Sequence, residues 1–238
     1  MEVYILSSVV VLIASAMQTA TGFGFSVLAT PFLLMLLHPV TAIQVNIIIS
    51  IFISFVMLPE IKKECDSGMA FRMSSGAVFG GVGGVLLVIS FAEETIRLYA
   101  GIVLLFSAAL VCYKSKVKQT NRRDIATGTA SGLLTTSLGM PGPPLLLYFA
   151  STNISKSILR STTLIYFLFA YSASLIMHAV VVGVGLSSLF YALLLIPFSF
   201  FGIYIGKIIY KVLSQKVLKS INLLILVVTG VMLVLSVF

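Results

Sequence analysis

Long apolar runs without a single charge, separated by short charged patches, dominate this chain. No Asp, Glu, Lys or Arg occurs in residues 3–59, 73–92, 98–113, 125–155, 161–206 or 220–238, which together make up 189 of the 238 positions. A membrane crossing takes about 20 apolar residues, so the longer runs predict several membrane-embedded helices each. Two of these runs are interrupted. Glycine breaks the first at Thr21-Gly22-Phe23-Gly24-Phe25-Ser26, and glycine with proline breaks the fourth at Leu138-Gly139-Met140-Pro141-Gly142-Pro143-Pro144. Proline lacks an N–H and clashes with the preceding turn of a helix. The remaining pieces, 125–138 and 145–152, are each too short for a full pass. Each broken segment is therefore either one bent crossing or a V that enters and leaves by the same face.

Charge placement separates these two models. With one crossing each, the chain makes eight passes, and Lys and Arg divide eight against seven between the two faces. With V-shaped hairpins, the loops 60–72, 114–123, 153–160 and 207–219 share one face, and the division becomes fourteen against one, with Arg97 alone outside. Cytoplasmic loops are enriched in Lys and Arg, so the second model is preferred: six full helices, two glycine/proline-tipped hairpins and both termini outside. The expected fold is an all-α polytopic membrane protein of two inverted repeats, each a broken hairpin plus three transmembrane helices. The first repeat covers 1–113, a basic cytoplasmic linker 114–123 and the second repeat 124–238. Matching features support the repeat: the two breaks, the polar helix starts Thr41–Asn46 and Ser157–Thr162, and the small-xxx-small pairs Gly80/Gly84 and Gly202/Gly206. Small residues at that spacing let helices approach closely, and broken segments at matching positions are a signature of secondary transporters.

Composition agrees with this reading: 59% hydrophobic, 9% charged and a mean hydropathy of +1.16, against about 25% charged in a soluble domain. Soluble enzymes, secreted disulfide scaffolds and nucleic-acid binders are excluded. The net charge of +8 reflects basic loops rather than a nucleic-acid surface. Cys65, in a charged loop, and Cys112, at a helix end, have no metal or CxxC spacing and read as reduced and structural. The N-terminus lacks a basic n-region and a small-residue cleavage site, so it reads as a retained helix. No cofactor is expected, the lipid bilayer is the surrounding partner, and the sequence carries no signature of an oligomeric state.

Candidate chemistry gathers at the breaks. Broken backbone at membrane depth must be buried in protein or line a wet cavity, so the hairpin tips are expected to meet at the repeat interface. Half-helices beginning near Ser26 and Leu145 would turn unpaired N–H groups and positive dipole ends toward a small anion. Gln18, Thr21, Gly22, Gly24 and Ser26 supply the first half of the expected site. Thr136, Ser137, Gly139, Pro141 and Gly142 supply the second, and Gln44, Asn46, Arg160 and Thr162 open the helices that follow. Arg160 reads either as an oxyanion partner or as an anchor at the cytoplasmic rim. His38 and His178 are placed near helix ends on the outer side, not as ligands. Every Asp and Glu falls in a loop or near a terminus, which argues against a proton relay through a buried carboxylate. A serine-hydrolase reading would need a histidine beside a membrane serine such as Ser131, and no nucleophile motif has the required spacing. A non-transporting membrane subunit would give no reason for two broken segments.

The motif Thr21-Gly22-Phe23-Gly24-Phe25-Ser26-Val27-Leu28-Ala29-Thr30-Pro31 with the helix start Thr41–Asn46, and the motif Gly139-Met140-Pro141-Gly142-Pro143-Pro144 with Leu159-Arg160-Ser161-Thr162, resemble those of the TauE/SafE sulfite exporter family. The resemblance covers essentially the whole chain. It implies a transporter, often an exporter, of small sulfur-containing or organosulfonate anions across the cytoplasmic membrane. Phe23 and Phe25 stand where many members carry further glycine, which implies a bulkier and more apolar first tip.

Overall fold

The computed structural model describes residues 2–112, 118–150, 152, 154–212 and 215–235. Among these residues every element is a helix: α1 (Glu2–Thr21), α2 (Phe25–Leu36), α3 (Pro39–Ile61), α4 (Ser67–Ser90), α5 (Glu93–Cys112), α6 (Asn121–Leu138), α7 (Gly142–Ala150), α8 (Lys156–Val181), α9 (Leu186–Val212) and α10 (Gln215–Leu235). Five helices of the described residues, in α1, α3, α4, α8 and α9, are long and apolar enough to cross a membrane. The chain is a multi-pass membrane protein. The expected hairpins correspond to α1–α2 and α6–α7, although α1 alone is long enough for a crossing. Of the basic linker, Lys114 and Lys116 lie outside the described residues, as do the side chains of Cys112, Lys216 and Lys219.

Helix starts follow local chemistry. Asp66 caps α4 by accepting the Met69 N–H at 2.8 Å, Thr120 caps α6 through Arg123 N–H and Ser155 caps α8 through Ile158 N–H. Each satisfies a donor that the helix leaves unpaired. Pro39 opens α3, at a position where a missing N–H costs nothing.

Small residues decide the closest packing. On α4, Gly76, Gly80 and Gly84 lie against the backbone of α6 at Ile125, Thr129 and Leu133, in the same direction along both helices. Gly128 and Gly132 of α6 return the contact at Met73 and Ala77. Gly202 and Gly206 of α9 lie against Leu12 and Ala16 of α1, again in parallel. A Cβ at Gly80 or Gly202 would collide with a carbonyl of the facing helix, so these pairs require glycine. By contrast α5 and α10 run antiparallel, Gly101 meeting Val234 while Gly230 meets Leu105. α3 and α8 are antiparallel too. Gln44 near the start of α3 bonds to Gly183 just beyond α8, and Thr162 near the start of α8 bonds to Asp66 just beyond α3.

The largest fully buried side chains, including Tyr166, Tyr171, Phe25, Phe167, Ile43 and Ile47, come from α2, α3 and α8, which form the interior. Outward faces are apolar: Phe79, Phe106, Leu193, Phe200 and Phe201 are all exposed, as lipid-facing residues must be. Phe198, from the phenylalanine-rich stretch of α9, instead packs edge-on to Tyr4 at 6.0 Å.

Two expectations for the second hairpin need correction. Asp124 is not a loop carboxylate. It lies in the first turn of α6 with no exposed surface, where its Oδ2 accepts Arg72 Nε–H at 2.8 Å and its Oδ1 accepts the Tyr148 hydroxyl at 2.6 Å. α7 begins at Gly142 and not near Leu145, because Pro143 and Pro144 occupy its first turn, where a helix leaves N–H groups unpaired.

Candidate functional site

The first break is built on two left-handed glycines, Gly22 at φ 81° and Gly24 at φ 104°, a region that side chains disfavour. Thr21 Oγ1 accepts the Phe23 N–H at 2.9 Å and donates to the Met17 carbonyl at 2.9 Å, which fixes the turn. Gly22 lies directly on α8, where a Cβ would come within 2.9 Å of Arg160 Cα. Arg160 is 7% exposed and points inward: its Nε donates to the Thr19 carbonyl at 2.6 Å and its guanidinium lies 4.2 Å over the Tyr210 ring. Among the described residues it makes no ion pair. The rim-anchor reading of this residue is therefore replaced by a buried cation facing the first hairpin. After Gly24, the first turn of α2 keeps the N–H groups of Phe25, Ser26 and Val27 without helical acceptors.

The second break also turns on a left-handed glycine, Gly139 at φ 69°, whose N–H closes on the Thr135 carbonyl at 2.8 Å. Gly139 rests on α3, as Gly22 rests on α8: its carbonyl accepts Asn46 Nδ2–H at 2.6 Å. Ser131 donates to the Pro141 carbonyl at 2.8 Å and ties the break back to α6. With proline at 141, 143 and 144, the first turn of α7 keeps only the Gly142 N–H among its usual free donors.

The hairpins meet where α2 and α7 begin. Gly142 sits against Val27 and Ser26, and the Phe23 and Phe149 rings lie 5.9 Å apart. At this junction the hydroxyl of Tyr171, on α8, faces Ser26, Asn46 and Ser50 and approaches the Gly139 carbonyl at 3.4 Å. Sequence reasoning missed Tyr171, Ser50 and Ser54. Their signal was present: Asn46, Ser50 and Ser54 repeat every four residues, which puts three polar groups on one face of an apolar helix.

Buried polar groups without a hydrogen-bond partner are costly and call for an explanation. Gln18 has no exposed surface, and neither its Oε1 nor its Nε2 has a partner. Thr19 Oγ1, Asn46 Oδ1, Ser50 Oγ, Ser54 Oγ, Ser161 Oγ and Thr163 Oγ1 are also buried and unpaired. They belong to the first hairpin, to one face of α3 from Asn46 to Ser54, or to the early turns of α8. The hydroxyls of the second hairpin are engaged instead: Ser131 on Pro141, Thr135 on Ser131, Thr136 with Ser174 at 2.7 Å and Ser137 on Leu133.

The expected residues thus fall into groups. Gln18, Thr21, Gly22 and Arg160 gather at the start of α8. Gly24 leads into α2, and Ser26, Asn46, Gly139 and Gly142 surround the Tyr171 junction. Gln44 and Thr162 lie apart, at opposite ends of the α3–α8 pair. Gln44 Nε2 donates to the Gly183 carbonyl at 2.7 Å beside a cleft of about 400 Å³ lined by His38, Thr41, Gly183 and Ser187. Thr162 Oγ1 accepts the Asp66 N–H at 3.0 Å, and Asp66 lines a second cleft, of about 460 Å³, with Lys63, Glu64, Cys65 and Ser157. Burial pushes the thiol pKa of Cys65 up. The first cleft carries no Asp, Glu, Lys or Arg, while the second carries three charged residues.

The family model described as Sulfite exporter TauE/SafE matches residues 7–233, so the chain belongs to that family, whose members are membrane transporters and not enzymes. No curated protein and no solved structure matches the chain.

Proposed function

From that family membership, we propose that the chain carries a small sulfur-containing or organosulfonate anion across the cytoplasmic membrane, as an exporter. The anion is held where the two broken hairpins meet. The observation that carries this reading is the concentration of unpaired buried donors around the first hairpin. Ser50 offers an unpaired hydroxyl, with the Ser26 and Tyr171 hydroxyls beside it and the latter resting on the Gly139 carbonyl. α2 offers three N–H groups and its positive dipole end, and Arg160 lies toward the basic loops. No carboxylate is among these groups, so an oxyanion meets no negatively charged side chain there.

In this account the halves 1–113 and 124–238 are inverted repeats joined by the linker 114–123. A two-fold axis in the membrane plane would exchange α1–α5 with α6–α10. It requires α1·α9 and α4·α6 to be equivalent pairs and α3·α8 and α5·α10 to be antiparallel, and the packing directions agree. Both termini then lie outside and the basic loops inside. Alternating access opens the uncharged cleft at Gln44 and the charged cleft at Asp66 in turn. The ties across them, Gln44 to Gly183 at one and Thr162 to Asp66 and Ser157 to Glu64 at the other, are hydrogen bonds worth about 0.5–3 kcal/mol each, weak enough to break on each cycle. Gln18, Thr21, Gly22, Gly24, Thr136, Ser137, Pro141 and Gly142 shape the walls or the route.

The test is thermal protection of the detergent-purified protein by sulfite, sulfate and simple sulfonates, followed by flux of the same labelled anions into proteoliposomes. At least one anion is expected to raise the melting temperature and to be transported. A folded protein that no anion in the panel stabilises contradicts the reading.

A further inference from the structure

Sequence position alone placed His178 at an interface, but the side chain has no exposed surface. Its Nε2 lies 2.8 Å from the Thr136 carbonyl. A carbonyl only accepts, so Nε2 carries the proton and the neutral ring leaves Nδ1 as a lone pair. That Nδ1 has no partner. An imidazole has two sites, and here one is fixed by the second hairpin while the other is buried and vacant. The bonded carbonyl belongs to the turn of α6 that ends at Gly139, and the Gly139 carbonyl receives Asn46 and approaches Tyr171. At its other end, the His178 carbonyl accepts the N–H groups of Val182 and Gly183, which line the uncharged cleft. His178 therefore stands between that cleft and the hairpin junction.

The groups around it do not supply a counter-charge. α8 packs against α3, α4 and α6. On α3 the titratable group at this end is His38, in the cleft wall, while Glu60 lies at the far end. α4 has no charged residue between 73 and 90, with Arg72 at its far end. α6 presents Thr136, and Asp124 at its far end is bonded to Arg72 and Tyr148. On α8 itself, Lys156 and Arg160 stand at the opposite end and Tyr166 and Tyr171 nearer the middle. A positive charge on His178 thus lacks a partner until an anion enters.

We propose that His178 is a proton-binding site coupled to the anion site. Its Nδ1 lone pair takes a proton from hydronium in the uncharged cleft when an anion occupies the junction, one O–H bond breaking to leave water, and returns it to water when the anion leaves. One N–H bond forms, the ring gains one positive charge and a monoanion is carried as a neutral pair. The proposal rests on the anion reading above and names what moves with the anion.

The test uses the full-length protein in detergent with ¹⁵N-labelled histidine, with the His38→Gln variant assigning the two rings. Both ring nitrogens are followed from pH 8.5 to 4.5, with and without methanesulfonate and sulfate, neither of which titrates in that range. The expected result is an Nε2–H tautomer at high pH and a second proton gained on Nδ1, with a midpoint at least tenfold higher in proton affinity when anion is bound. His178→Gln keeps an amide donor for the Thr136 carbonyl and is expected to bind anion without proton uptake. A ring that stays neutral throughout, or a midpoint unmoved by an anion that thermal protection proves to be bound, overturns the proposal. If neither anion protects the protein, the ligand class is at fault. Titration of His178 in the ligand-free protein then decides the proton site alone.

Discussion

The two hairpins have the same plan and opposite polar economies. Each ends its first helix at a left-handed glycine, Gly22 or Gly139, and each rests that glycine on the first turns of a long helix from the other half, α8 or α3. The second hairpin, however, spends its polar groups on itself. Ser131 holds Pro141, Tyr148 holds Asp124, and three prolines remove donors from the start of α7. The first leaves Gln18 and Thr19 unpaired and keeps every N–H at the start of α2. An unpaired buried polar group costs about 1–3 kcal/mol, so the first hairpin is kept at a stability cost that a ligand can recover. In the proposed function the second is therefore scaffold, and the first is the binding element.

The largest difference is expected from a single methyl group. Gly22→Ala must hold φ 81° and place its Cβ 2.9 Å from Arg160 Cα. The backbone strain alone is about 1–3 kcal/mol, and the clash adds to it, so folded yield in detergent should collapse. Gly142→Ala has no left-handed backbone to hold, and its nearest neighbour is Val27 Cγ2 at 3.2 Å. Its melting temperature should move by the equivalent of less than about 1 kcal/mol. Equal effects at the two positions would mean that the left-handed turn at Gly22 and its seat on α8 are not what fixes the first break.

Next in size is Asp124→Asn. Breaking a buried ion pair costs about 3–5 kcal/mol. Arg72 keeps 27% of its side-chain surface exposed, so hydration recovers part, leaving about 2 kcal/mol by the same scale. Thermal unfolding should show that loss with anion affinity of the folded fraction unchanged, because the staple belongs to the scaffold hairpin. A large drop in affinity would move binding toward α7.

The smallest expected effect has the opposite sign. Gln18→Leu removes two unsatisfied polar atoms at similar volume and should stabilise the ligand-free protein by about 1 kcal/mol, while thermal protection by anion falls. Gln18→Leu that destabilises the protein would mean that Gln18 is already satisfied.

Much of this was legible in the chain. The all-helical class, the break positions and the glycine-packed pairs followed from charge-free runs and small-residue spacing, because those patterns act within one turn or one crossing. The six full crossings expected did not, since five described helices are long and apolar enough and α1 is one of them. The start of α7 did not, because proline was judged as a helix breaker while the first turn tolerates it. Asp124 was misjudged because its partners lie far along the chain, at Arg72 and Tyr148. His178 sits near a helix end in sequence, and it is buried in a bundle where α8 packs against α3, α4 and α6 and the Thr136 carbonyl meets its ring. Which hydroxyls are spent and which are unpaired depends on such contacts throughout, so Thr136 and Thr19 looked equivalent by composition alone.

The central claim is that the anion is held at the start of α2. Crystals grown with selenate or selenite, measured at the selenium absorption edge, locate it directly. The account predicts one anomalous peak beside Ser26, the Tyr171 hydroxyl and the N–H groups of Phe25 to Val27, with the anion's oxygens in hydrogen-bonding reach of them. A peak at the proline-rich start of α7 alone, with none beside Ser26, would contradict it.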